Sequence, residues 1–173
     1  MDVTQYYSMI PACTAQVAKG AFLTAGTEVF NPMTIGWALF GEVWGKPVCA
    51  VLVRKSRYTY GLMQAAETFT VSFPAAGTMQ DALAYCGAHS GRDGDKAAAA
   101  NLSPLPIADV PGAASGVAGC AAYVACRTVF RTESDLDNMD PALRKRFYGA
   151  NQALPDGDPH VVYFGEVVGV AER

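Results

Sequence analysis

The chain has 173 residues, carries 13 Lys and Arg against 16 Asp and Glu for a formal net charge of -3, and is 51% hydrophobic but only 17% charged. That length fits a single domain over residues 1–173 with a substantial core, and the acidic balance with no basic stripe argues against nucleic acid. No apolar run reaches the roughly 18 residues that span a bilayer, and the N-terminus lacks a basic start and a signal-type apolar core, so no membrane contact and a cytoplasmic location are expected.

Gly20 to Gly26 reads as a first strand, and Met33 to Val43 as a second, long one. The run from Pro47 through Val53 is apolar and β-branched, which predicts a well buried third strand ending at Arg54. Polar chemistry then starts abruptly with Arg54-Lys55-Ser56-Arg57-Tyr58-Thr59. Ser56 and Thr59 are both good N-caps for a short helix over Tyr60 to Glu67. Thr68 to Phe73 alternates Thr and Ser with apolar residues, as in a half-buried strand, and Pro74 ends it.

Met79 to Cys86 and Lys96 to Leu102 read as short helices, the second with Asp95 as its N-cap. The glycine-rich, charged stretch Gly87 to Gly94 joins them. It lacks the run of acidic ligands and the closing Glu of a calcium loop, and with Asp95 and Lys96 reads as a ligand-covering loop. Ser103 to Gly119 reads as an irregular connection. Two long β segments, Cys120 to Thr132 and His160 to Glu172, flank a polar stretch in which Pro141 to Tyr148 predicts a helix with Pro at its start. The sum is an α+β domain, mostly antiparallel, built on a closed or partly closed barrel.

Five cysteines (Cys13, Cys49, Cys86, Cys120, Cys126), with no C-x-x-C pair, predict free thiols packed as small hydrophobes. Two histidines, His89 and His160, lack ligand-spaced partners, so no metal is expected. Neither G-x-G-x-x-G nor G-x-x-x-x-G-K-[ST] occurs, which removes the usual phosphate loops. The apolar excess suggests surface reserved for a second copy, hence a homodimer.

Two segments carry chemistry. Asn31-Pro32-Met33-Thr34-Ile35-Gly36-Trp37 offers an amide, a thioether, a hydroxyl and an indole on or beside one strand. Arg54, Lys55 and Arg57 place three of the chain's 13 cations in four residues at a strand-to-helix junction, where a helix N-terminus makes an anion site. Together they suggest a bound aromatic phosphate ester. Taken singly, Met33 and Trp37 also read as core, Asn31 as a turn former, Ser56 and Thr59 as caps, Lys96 as a solvated helix residue and His160 as a solvent-facing strand start.

The order of the Asn-x-Met-Thr-Ile-x-Trp strand, the Lys-Pro-Val strand leading to Arg-x-Ser-Arg-x-Thr, the Phe-x-Val-Ser strand, the Ser-Gly-Arg-Asp-x-Asp-Lys loop and the terminal His-x-x-x-x-Gly-Glu-Val strand resembles the flavin reductase-like, FMN-binding split-barrel family, flavoredoxin-type members above all. The resemblance covers about Gly20 to Val170. It implies an FMN-binding, dimeric split β-barrel in which Asn31, Met33, Thr34, Ile35, Gly36 and Trp37 line the isoalloxazine ring and ribityl chain. It assigns the phosphate to Arg54, Ser56, Arg57 and Thr59. Ser90, Gly91, Arg92, Asp95 and Lys96 would form a loop over the flavin edge, with Lys96 placing positive charge near the pyrimidine side. His160 is the catalytic candidate, near a nicotinamide site, and Phe164 would reach the flavin of the neighbouring subunit.

The function so implied is an NAD(P)H-dependent flavin reductase passing electrons to free flavin or another acceptor, with FMN as cofactor and NADH or NADPH as candidate substrate. No protein acid, base or nucleophile is demanded by that chemistry. The alternative is a flavoredoxin-like FMN electron-transfer protein that meets a redox partner protein and lacks its own nicotinamide site. A third reading, a structural dimer without flavin, sits poorly with the cationic junction.

Overall fold

A computed structural model describes residues 3–107, 110–149 and 157–173. In chain order the elements are α1 Val3–Val17, β1 Ala21–Ala25, β2 Met33–Ile35, β3 Ala38–Val43, β4 Lys46–Arg54, α2 Tyr58–Ala65, β5 Thr68–Phe73, α3 Gln80–Ala88, α4 Lys96–Ala99, β6 Pro104–Leu105, β7 Gly116–Val117, β8 Ala122–Glu133, α5 Pro141–Tyr148 and β9 His160–Glu172. Seven strands form one sheet in the order β2-β1-β5-β8-β9-β4-β3, and β6 pairs with β7 in a second. Every pairing is antiparallel. Among the described residues, no helix is long and apolar enough to cross a membrane.

The expected single strand Met33 to Val43 is two strands. β2 pairs with β1 and β3 pairs with β4, so the two pieces occupy opposite edges of the sheet. Only Gly36 and Trp37 link them. Successive Cα atoms are about 3.8 Å apart, which holds Ile35 and Ala38 within about 11 Å. The sheet therefore curls until its edges meet at this link.

β1 is buried along its whole length and β9 alternates buried with half-buried residues. Their inner side chains join Val51, Val53, Phe69, Val71, Val124 and Tyr163 in the main core. A smaller core of Phe22, Leu83, Cys86, Val117, Cys120 and Tyr123 fills the space under α3. All five cysteines are free and buried, as expected.

Helix α1 was not anticipated. It buries Tyr6, Met9, Cys13, Gln16 and Val17, one stripe at helical spacing, and carries Pro11 in its interior. The Tyr6 hydroxyl donates to the Val48 carbonyl at 2.6 Å and accepts from the Gly41 amide at 3.1 Å, which ties the helix to β3 and β4. The expected caps of α2 are also corrected. The helix starts at Tyr58, its N-cap is Arg57 in an extended conformation, and no side chain caps it, because Ser56 falls before the cap position and Thr59 inside the first turn. It ends at Ala65 rather than Glu67, α3 runs on to Ala88, and α4 stops at Ala99. Asp95 does cap α4, accepting from the Ala98 amide at 3.0 Å. Asp140 caps α5 in the same way.

Candidate functional site

Strand register builds the centre of the site. Arg54, the last residue of β4, lies opposite His160, the first of β9. Ala38 lies opposite Val51, so Trp37 enters β3 beside Leu52. The Gly36–Trp37 link then brings the end of β2 to the same place. The result is a cavity of about 290 Å³ lined by Met33, Thr34, Ile35, Gly36, Trp37, Leu52, Arg54, Arg57, Gly87 and His160. The Thr34 hydroxyl donates to the Leu83 carbonyl at 2.6 Å, pinning α3 behind β2. Trp37 is 41% exposed, and its indole packs edge-on against Phe147 with centroids 5.2 Å apart and tilted against His160 at the same distance.

His160 is buried, with Nδ1 2.8 Å from the Tyr148 hydroxyl and the two rings edge to face. Burial, with the nearby Arg54 guanidinium adding to it and Asp158 opposing both, holds its pKa down at about 4. The imidazole is therefore neutral at physiological pH. It lines the cavity as a neutral ring, not a cation. Burial raises the Tyr148 phenol against the opposing effect of Arg54, whose guanidinium lies 5.0 Å from the Tyr148 ring centroid.

The cationic junction divides into two halves. Arg54 donates from one terminal nitrogen to the Asp158 carbonyl at 2.8 Å and from the other to the Phe147 carbonyl at 2.7 Å. Ser56 donates from its backbone amide (3.1 Å) and its hydroxyl (2.6 Å) to the two carboxylate oxygens of Asp158, which also lies 4.0 Å from Arg54. Among the described residues the Arg57 guanidinium makes one hydrogen bond, to the Gly87 carbonyl at 2.7 Å, and it borders the cavity. Lys55 points away and pairs with Glu133 at 2.5 Å on the surface. Thr59 is buried and accepts from the Asn31 amide at 3.0 Å.

Asn31, Gly91, Asp95 and Lys96 line a neighbouring cavity of about 490 Å³, together with Glu28 and Tyr58. Gly91 is there because nothing larger fits: a Cβ would fall 2.2 Å from the Asn31 side-chain oxygen and 2.6 Å from the Tyr58 ring. Arg92 donates to the Ser56 carbonyl at 2.9 Å and lies over the Tyr58 ring, and the Ser90 hydroxyl accepts from the Arg92 amide. These contacts tie the loop to the cationic junction. Lys96 is 5% exposed, and burial holds its ammonium pKa below the usual lysine value, with Arg57 adding to the effect and Cys86 opposing it. Among the described residues Nζ has no acceptor.

Phe164 stands apart from both cavities, four residues along β9 from His160. It packs with Trp44 and Phe130 in an aromatic cluster whose Trp44 is 60% exposed. A larger cleft of about 830 Å³ borders α5, with walls of surface charges such as the Arg144–Asp137 pair at 2.8 Å.

Sequence reasoning passed over Asp158, Tyr148, Phe147, Leu52 and Gly87. Asp158 stands two residues before His160 and Tyr148 ends the expected helix α5, so both were within sight of residues already singled out. Nothing local marks their partners, which lie on other elements.

The sequence matches the family described as flavin reductase like domain over residues 14–173. Among solved structures, the flavoredoxin of Methanosarcina acetivorans is 21% identical, with 89% of this chain and 68% of that one covered and a TM-score of 0.64. The NADH:FAD oxidoreductase of Streptomyces globisporus C-1027 is 20% identical over 89% of this chain and 75% of that one, with a TM-score of 0.65. Nitrilotriacetate monooxygenase component B of Bacillus cereus is 15% identical over 88% and 68%, again at 0.65. Among curated proteins, none matches. The structural likenesses establish a common fold, and with the sequence match over nearly its whole length, the chain belongs to the flavin reductase-like domain family.

Proposed function

We propose that the chain is an FMN-binding oxidoreductase that accepts hydride from NADH or NADPH and delivers electrons to free flavin or another acceptor. The observation that carries the reading is the convergence of Met33 to Trp37, Arg57 and neutral His160 on one cavity. Its residues fit a flavin. Thioether, indole and aliphatic groups offer a face for a flat ring, while Arg57 and the first N–H groups of α2, which have no intrahelical acceptors, offer charge and donors for a phosphate.

In this reading Met33, Ile35, Gly36 and Trp37 hold the ring, and Thr34 keeps their strand in place. Arg57 takes the phosphate beside Arg54 and Ser56, while Thr59 braces Asn31. Lys96, from the adjoining cavity, would set positive charge toward the pyrimidine side. Bound FMN would supply the hydride-accepting centre. His160 contributes a neutral ring nitrogen that positions the nicotinamide amide by hydrogen bonding, and Leu52 and Ile35 limit water. A Streptomyces relative observed with NAD and FAD fragments supports the nicotinamide half.

The curled sheet is proposed to act as a split β-barrel in a homodimer. The exposed Trp44, Phe130 and Leu39 would be covered by the second copy, where Phe164 would approach the partner's flavin. Five free thiols suit a reducing, cytoplasmic setting. Arg57→Ala tests the reading: FMN affinity should fall about tenfold or more while riboflavin is affected far less. Equal, small effects on both flavins would remove Arg57 from the phosphate site. The exposed aromatic cluster also favours a second reading, an electron carrier docking a redox protein there, which predicts tightly held FMN that stays oxidised with either nicotinamide.

A further inference from the structure

We propose that Asp158 sets the flavin selectivity of the site: its carboxylate fills the anion position formed by Ser56 and Arg54 and so competes with the phosphate of FMN. The proposal rests on the flavin reading of the cavity. It goes beyond it by naming the residue that decides how much the phosphate contributes.

The geometry is that of an occupied anion site. Two donors on one residue, the Ser56 amide at 3.1 Å and hydroxyl at 2.6 Å, close on the two oxygens of one carboxylate, with a guanidinium 4.0 Å away. A phosphate would use the same donors in the same way. Arg54 is further committed by its bonds to the carbonyls of Asp158 and Phe147, so both of its terminal nitrogens are engaged. The carboxylate is also tethered, since Asp158 precedes His160 by two residues and His160 is fixed in β9 opposite Arg54. Gly157 helps to seat it: its φ is +77°, and a Cβ there would lie 2.9 Å from the Tyr148 carbonyl. A tethered anion competes at high effective concentration. An incoming phosphate must displace it or lie next to it, and two like charges side by side oppose binding.

Riboflavin and FMN differ only in the phosphate ester, so their affinity ratio reads the phosphate contribution directly. In the full chain the two should bind within a few-fold of one another. Asp158→Asn removes the competing charge and should tighten FMN about tenfold, equivalent to 1.4 kcal/mol, while riboflavin changes less than twofold. Adding Ser56→Ala to Asp158→Asn should return FMN toward its original affinity. Fluorescence titration at fixed ionic strength supplies all these values, and Asp158→Ser gives the same ratio should Asp158→Asn not fold. An unchanged FMN-to-riboflavin ratio in Asp158→Asn, or equal loss of both flavins, overturns the proposal and makes Asp158 a structural tie. If the unaltered chain binds neither flavin, the flavin reading fails by itself. Inorganic phosphate then decides the anion question: it should raise the thermal midpoint of Asp158→Asn but not of the unaltered chain, and no rise in the variant sinks the proposal.

Discussion

Acidification should unfold this protein partly through His160. An ordinary histidine titrates near 6.5, whereas burial beside Arg54 holds this one at about 4. Between those values the unfolded chain binds a proton at His160 that the folded chain refuses. Because the folded pKa is depressed, stability is full above pH 6.5 and declines as the pH falls toward 4. At 1.36 kcal/mol per unit, the loss integrates to about 3 kcal/mol over that window. That value already includes Asp158, which opposes the shift. Urea unfolding at a series of pH values, for the parent and for His160→Gln, isolates the contribution. The variant should start less stable at pH 7.5 but lose about 3 kcal/mol less than the parent on going to pH 4. Parallel curves for the two proteins would show that His160 titrates alike in folded and unfolded chains, and the account of a neutral, desolvated imidazole would be wrong.

Three substitutions probe the rest of the site. Tyr148→Phe removes the partner of His160 Nδ1 and should cost about 1–3 kcal/mol; ring-nitrogen NMR shifts of His160 should change with it, and unchanged shifts would exclude the hydrogen bond. Lys96→Met removes the ammonium of a mostly buried side chain whose pKa burial holds below the usual lysine value, so urea stability near pH 7 should hold or rise while FMN affinity falls; a large loss of stability would show that the charge stabilises the fold. Gly91→Ala must push the loop away from Asn31 and Tyr58, lowering the thermal midpoint by several degrees and weakening flavin binding, whereas an unaltered midpoint would show that the loop yields freely.

What could be read in advance was local. β5, β9 and α5 announced themselves through alternation, β-branching and Pro141, and their observed bounds follow those signals closely. The cavity-lining residues Met33 to Trp37 were legible for the same reason, being contiguous. The break at Gly36 was not, because a strand that changes partner keeps its local pattern while the pairing is decided by β1 and β4. α1 was hidden by Pro11 and by the absence of charge in either terminal turn, leaving only the spacing of Tyr6, Met9, Cys13 and Val17 as a signal. Ser56 illustrates the limit at the site itself. Its hydroxyl has the chemistry of a cap, yet it donates to a carboxylate 102 residues later, and only the register of β4 against β9 brings the two together.

Anaerobic reduction of the FMN-loaded protein tests the central claim most directly. With the protein desalted after loading, the visible absorbance of retained flavin should bleach rapidly on adding NADH or NADPH, and more slowly in His160→Gln. Retained flavin that stays oxidised with both nicotinamides would contradict a nicotinamide-dependent reductase and leave the electron carrier, and a protein that takes up no FMN at all would contradict the flavin site.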